Sequence, residues 1–288
     1  MMECGGPPDT LSSEGSGGRS NKGYGDCNEE QMKADNFDLQ AYFSRIGFHG
    51  AASADLATLR GLMRCQLFTV PFENLDVQNG KVVSLVPEEI YTKIVVRRRG
   101  GYCYEVNGLF AMALDALGIP HRFVAARPMI YPVRRPKTHM ALVAEIGGER
   151  WLCDLSFGSY SIREPLRLDW LDREIVQGPA TFRLSVNGEG EYLLQSLSDG
   201  SWINLYEFNL STQEWVDFEP ANYLNSTHPG SVFVQALMVV LQTPSGKKVL
   251  HGERFKVISE GRAEECSVSR EEIPELLLRE FSLGEDCI

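Results

Sequence analysis

This chain lacks paired cysteines, a basic surface and long apolar runs, and each absence removes a class of function. Its seven cysteines (4, 27, 65, 103, 153, 266 and 287) are scattered, odd in number and form no CxxC pair. That argues against a disulfide framework and against a zinc or other metal site, and points to the reducing cytoplasm. Basic residues number 28 against 39 acidic ones, and the resulting net charge of −11 speaks against a broad nucleic-acid surface. No apolar run approaches the roughly 20 residues that cross a membrane, and the N-terminus lacks the basic-then-apolar layout of a signal peptide. Internal repeats, a dinucleotide-binding glycine fingerprint and a Walker loop are also missing. The expectation is a soluble protein, monomeric or weakly homo-oligomeric, that acts on small molecules.

What is present falls into segments. Residues 1–33 are rich in Gly, Ser and polar side chains, which predicts a disordered tail. Helical spacing begins at Leu39, Tyr42, Phe43 and Ile46, with Gly47 as a stop. Ser53 is placed to cap a second helix through Leu56, Leu59, Leu62 and Met63. Pro87 suits the first turn of a third, through Ile90, Tyr91, Ile94 and Val95. Between them, Val70–Leu75 reads as irregular. After Pro120 the texture becomes β-prone: 121–128, 140–146, 151–157, 181–186, 192–197 and 202–208, separated by turn signals at Gly147-Gly148, Asn187-Gly188 and Asp199-Gly200. Beyond Asp217 come a polar loop, an apolar stretch over 232–241, a strand-like run near 255–258, and a helix after Ser269, which with Glu272 forms a capping-box pattern. The organisation expected is a helical segment over 34–117, a β-barrel over 118–216 and an α/β segment over 217–288.

The most telling stretch is Arg99-Gly100-Gly101-Tyr102-Cys103-Tyr104-Glu105-Val106-Asn107. Two glycines and an aromatic deliver a cysteine to the start of an apolar helix that runs through Val106, Leu109, Phe110, Ala113 and Leu117. A thiol there meets unpaired backbone N–H groups and the positive end of the helix dipole, which favour the thiolate.

A cysteine nucleophile needs a base, and the base needs an orienting group. Of five histidines, His139 opens an apolar strand, and Asp154 lies on the next one. With Gly147-Gly148 as a two-residue turn, Ile146 pairs with Glu149, His139 falls opposite Ser156, and Asp154 falls opposite Ala141. Asp154 then sits diagonally from His139 on one sheet face, within reach of the imidazole. A slip of one residue would separate them. Cys153, of opposite parity, belongs to the core.

These residues carry a family resemblance. Arg99, Gly100, Gly101, Cys103, Glu105 and Asn107 match the RGGxCxExN signature of the arylamine N-acetyltransferases, and Pro71–Asp76 matches their PFENLD segment. The His139 and Asp154 strands are also similar to theirs, and the resemblance extends from about Phe37 to Phe281. It implies an α+β fold: an N-terminal helical bundle, a central β-barrel and a C-terminal α/β lid around a cysteine-protease-like catalytic core. It implies acetyl-CoA as cosubstrate, no metal, and ping-pong transfer to arylamines, arylhydrazines or arylhydroxylamines, with Cys103, His139 and Asp154 as catalytic triad. Phe72, Tyr102 and Phe208 are candidate walls of an amine pocket. Arg97, Arg98, Arg99, Arg134, Arg135 and Lys137 are locally basic and suited to CoA phosphates. Two positions depart from the family pattern: Gln66 replaces a frequent histidine and reads as structural, and Ser156 replaces the usual glycine, its hydroxyl facing His139.

The triad alone also fits a cysteine peptidase or transglutaminase, and the family includes an amide synthase that closes an arylamine-containing chain. A small-molecule binding protein without activity is the remaining class. The reactivity of Cys103 and its acetylation separate these readings.

Overall fold

The structure, a computed structural model, describes residues 32–283. The tail expected over 1–33 therefore lies almost wholly outside the described residues. Met32 corrects its boundary: it is 2% exposed and packs over Gly108, part of the main core.

The first helices form where periodicity placed them. In α1 (Leu39–Ile46) the Asp38 carboxylate accepts from the Ala41 N–H, and Gly47 ends the helix at φ 70°, a conformation costly for any residue with a Cβ. In α2 (Leu56–Leu67) the cap is Asp55, not Ser53. Asp55 Oδ1 accepts from Thr58 N at 2.8 Å, while Ser53 Oγ donates to Asp55 Oδ2. Asp55 directly precedes the helix and brings a negative charge to its positive end, so it displaces the weaker hydroxyl.

The segment expected to be irregular contains β1 (Phe72–Glu73) and a single turn, α3 (Leu75–Gln78). The third expected helix is α4 (Pro87–Tyr91), which passes into a π-helical turn over Thr92–Val96. Then comes α5 (Cys103–Ala116), whose residues from Cys103 to Leu114 are all buried. A helix buried on every side over this length belongs in the interior, with its buried Glu105 and Asn107 hydrogen-bonded.

Eight strands follow in one antiparallel sheet: β2 (His121–Pro128), β3 (His139–Ile146), β4 (Glu149–Cys153), β5 (Leu166–Arg167), β6 (Ile175–Gln177), β7 (Ala180–Val186), β8 (Tyr192–Ser198) and β9 (Ser201–Phe208). Their order is β5-β4-β3-β2-β9-β8-β7-β6. The sheet curls but does not close into the expected barrel: β5 and β6, two and three residues long, remain its edges among the described residues. Closure needs a continuous ladder around the ring, which such short edges do not supply.

The C-terminal segment is richer than its sequence signals. The stretch expected as a polar loop holds α6 (Glu219–Thr227), with Pro220 in its first turn. The apolar stretch over 232–241 divides into α7 (Val232–Gln235) and β10 (Met238–Thr243). With β11 (Gly246–His251), β12 (Arg254–Ser259) and β13 (Arg262–Ser267), β10 forms a second sheet whose outer member is β1, through Phe72↔Val240 and Glu73↔Val239. Helix α8 (Ile273–Phe281) packs Leu276, Leu277 and Phe281 beneath it.

The fold is thus α+β. One core runs from the helices into the eight-stranded sheet, where α5 lies against β3. Among the described residues no helix is long and apolar enough to cross a membrane.

Candidate active site

The Arg99–Asn107 run is pinned from below before it becomes a helix. Gly101 N donates to Pro71 O at 3.3 Å, and Glu73 N donates to Gly101 O at 2.9 Å. A Cβ on Gly100 would stand 2.1 Å from the Pro71 carbonyl oxygen, and one on Gly101 would stand 2.7 Å from the Glu105 carboxylate. No side chain fits in either place, which is the physical reason for two glycines in succession.

This seat puts Cys103 at the first position of α5, where helix N–H groups have no intrahelical partner. The residue is 3% exposed, and its sulfur approaches the Thr138 carbonyl at the head of β3. The next residue, His139, is 4% exposed and donates through Nε2 to Asp154 Oδ2 at 2.8 Å. Asp154 is fully buried. Its other oxygen accepts from Asn107 Nδ2 at 3.1 Å and from Ser156 N at 3.0 Å.

Burial by itself would strip a proton from the imidazole. The Asp154 carboxylate reverses this and Cys103 adds to the effect, so the pKa of His139 is raised. Burial pushes Asp154 upward, but His139 and the donors from Asn107 and Ser156 overcome it and hold the carboxyl below its ordinary value. Such a set can pass a proton from sulfur to nitrogen and keep the resulting imidazolium in place.

Phe157 and Tyr206 flank the His139 ring, with centroids 4.8 and 5.1 Å away. Cys103 and His139 open on a cavity of about 370 Å³ whose walls include Phe72, Phe157, Tyr160 and Phe233. It is mostly apolar, of the size that takes a small aromatic molecule. Among the described residues no group of His, Cys, Asp and Glu gathers to hold a metal ion.

A sequence profile of the N-acetyltransferase family matches residues 55–286. The arylamine N-acetyltransferase of Escherichia coli K12 is 32% identical over 259 residues, which is 86% of this chain and 89% of that protein. The chain belongs to the arylamine N-acetyltransferase family. Among solved members, the Salmonella typhimurium enzyme superposes with a TM-score of 0.82 at 30% identity, covering 85% of this chain and 91% of that one. A Mycobacterium marinum arylamine N-acetyltransferase solved in complex with CoA superposes at 0.80 with 32% identity, over 85% of this chain and 93% of that one.

Within this acetyltransferase fold the expected residues separate. Cys103, His139 and Asp154 come together, and Phe72 lines the cavity beside them. Tyr102 and Phe208 do not line it; both are 0% exposed. Tyr102 turns its hydroxyl to Asn222 on α6, and Phe208 stacks on Tyr192. Aromatic identity carries no signal that tells a cavity wall from core, and strand parity turned Phe208 inward.

The basic residues divide likewise. Arg99 is committed to Glu73 and Asp76, and Arg134 reaches Glu207. Of the six, Arg135 alone is among the residues lining this cavity.

Gln66 is structural, as read: its amide donates to the Val106 carbonyl at 2.8 Å and accepts from Tyr42 at 2.7 Å, bracing α5. The Ser156 hydroxyl makes no hydrogen bond to His139 and has no partner; the serine holds Asp154 through its backbone N–H.

In the sequence Asn107 is a signature match with no role of its own. Asn107 bolts three elements together, donating to Met140 O and Asp154 Oδ1 and accepting from Leu155 N. Its signal was spacing: four residues after Cys103, it shares that helix face. Tyr206 flanks His139 from β9 and is not among the residues lining the cavity.

Proposed function

We propose that this chain transfers an acetyl group from acetyl-CoA to the nitrogen of arylamines, arylhydrazines or arylhydroxylamines through an acetyl thioester on Cys103. The observation that carries this reading is the buried His139–Asp154 pair, bonded at 2.8 Å, beside a cysteine that opens a helix. The names of the relatives and the CoA complex of one of them support the substrates.

His139 takes the proton of the Cys103 thiol, with Asp154 stabilising the imidazolium. The thiolate attacks the thioester carbonyl of acetyl-CoA, and the oxyanion of the tetrahedral adduct meets the Cys103 N–H at the start of α5. Collapse breaks the bond to CoA sulfur, which leaves with the proton from His139. The acceptor nitrogen then attacks the acetyl-cysteine, gives its proton to His139, and the Cys103 sulfur departs.

The cavity favours an aryl acceptor: Phe72, Phe157 and Phe233 line it together with Cys103. In this reading Cys103 on its helix and His139 on its strand form a cysteine-protease-like core over residues 34–216. Residues 217–288 act as a lid, supported by Leu224, His228, Phe233 and Met238 in the cavity wall.

Initial rates with acetyl-CoA and an aromatic amine test it. Parallel double-reciprocal lines and an N-acetylated amine are expected. Intersecting lines, or hydrolysis with no N-acetyl product, would contradict the mechanism and favour a hydrolase.

A further inference from the structure

Beneath the first turn of α5 lies a cluster of five charged side chains that acyl transfer does not use. Asp76, Lys93, Arg99 and Glu105 line a polar cavity of about 530 Å³, separate from the one holding Cys103. Glu73 completes the set from β1. Lys93, in the π-helical turn, places Nζ 2.6 Å from Glu105 Oε1, 2.6 Å from Asp76 Oδ2 and 3.7 Å from Glu73 Oε1. Arg99 reaches Glu73 Oε1 at 2.8 Å and Asp76 Oδ1 at 3.4 Å.

Glu105 is the member that touches the catalytic turn. Its Oε2 accepts from Tyr102 N at 3.0 Å, immediately before Cys103. Lys93 and Arg99 are the cations inside the cluster, and Lys81 adds its charge at Asp76 from the rim. Glu73 and Asp76 each meet both Lys93 and Arg99, whereas Glu105 meets Lys93. Glu105 is 2% exposed, and Lys93 is the cation that holds its charge. Lys81, Glu88, Glu89 and Arg97 stand around the same cavity, none of them buried.

We infer that Glu105 is a positioning residue for Cys103. As a carboxylate held by Lys93 it fixes the Tyr102 N–H and the first turn of α5; protonated, it lets that turn slacken, and reaction at Cys103 slows. The proposed transfer gives this its purpose, but the geometry holds for any chemistry of the thiol. A hydrogen bond accepted by an ionised group is shorter and stronger than a neutral one, and negative charge at a helix N-terminus is favourable. Burial, countered by Lys93 and reinforced by Glu73, raises the pKa of Glu105 to about 7. Because that value is above the one in the unfolded chain, protonating Glu105 stabilises the fold. Protonation of Glu105 itself therefore does not drive unfolding as pH falls through about 7.

The test is the rate of iodoacetamide alkylation at Cys103, read from its peptide mass between about pH 5 and 9, in the wild type, Glu105→Gln and Lys93→Met. The wild type is expected to lose about three- to tenfold in rate as pH falls through about 7. Glu105→Gln, uncharged at every pH, removes that step and holds the rate near the acid-side level throughout. Lys93→Met moves the step to higher pH, and Lys93→Arg restores it. An unchanged step in both Glu105→Gln and Lys93→Met would overturn the inference, as would a uniform loss of rate with the step still at its wild-type pH. Because alkylation needs no acetyl-CoA, failure here is separate from failure of the proposed activity.

Discussion

Replacing Cys103 with alanine is expected to lower acetyl transfer by about 10⁴-fold or more, with the fold left intact. The sulfur is the one atom in the cavity placed both at a helix N-terminus and beside a base already fixed by a carboxylate. On the proposed mechanism, removing it leaves nothing in the cavity to carry the acyl group. The side chain is small; its sulfur lies 4.0 Å from the Thr138 carbonyl and beside His139, whose ring keeps its bond to Asp154 when the sulfur is removed. Thermal unfolding of the pure variant should stay within a few degrees of the wild type while N-acetylarylamine formation disappears. Retention of most of the transfer rate in that variant would remove Cys103 from the mechanism.

Asp154→Asn is expected to be nearly as damaging, lowering kcat/KM by roughly 10³- to 10⁴-fold. This carboxylate accepts from three donors: His139 Nε2, Asn107 Nδ2 and Ser156 N. An amide at the same site has one acceptor oxygen, so its NH₂ must face a donor, and no negative charge remains to hold an imidazolium. The sign of the pH effect follows. In the wild type Asp154 raises the pKa of His139 and His139 lowers that of Asp154. The stability from the pair is therefore lost as pH falls through the Asp154 value or rises through the His139 value. Without the carboxylate, burial dominates, and the imidazole gives up its proton at lower pH. Imidazole proton shifts of His139 followed by NMR should show that displacement. An Asp154→Asn variant with wild-type activity and an unmoved His139 titration would contradict the orienting role.

The parts of this account legible in the sequence are those with local causes. Leu39 to Gly47 announced α1 because a 3.6-residue repeat and a left-handed stop lie within nine positions. The hairpin register was also local: Ile146 does pair with Glu149, and Leu142 with Cys153. The ladder ends there, so Asp154 and Ser156 leave it. The reach of Asp154 to His139 is fixed by Asn107 from α5, not by strand pairing alone.

What the sequence hid depends on partners far along the chain. Phe72 and Glu73 are a strand because Val240 and Val239 pair with them. Neither an alternating run nor a turn signal marks two residues that borrow their ladder from so far away. Helix α6 was missed because its nine residues, Glu219–Thr227, have little apolar periodicity and depend on packing against Val83, Tyr102 and Thr138. Tyr102 and Phe208 were placed in the cavity from proximity to the motifs, but both rings are buried: Tyr102 at the cap of α5 turns to α6, and Phe208 on β9 stacks on Tyr192.

The most direct test of the central claim is the mass of the intact protein after brief exposure to acetyl-CoA without an acceptor. The account predicts a gain of one acetyl group located on the Cys103 peptide, absent in Cys103→Ala, and discharged on adding an aromatic amine with formation of its N-acetyl product. An unmodified Cys103 under conditions where the amine is nonetheless acetylated would contradict it.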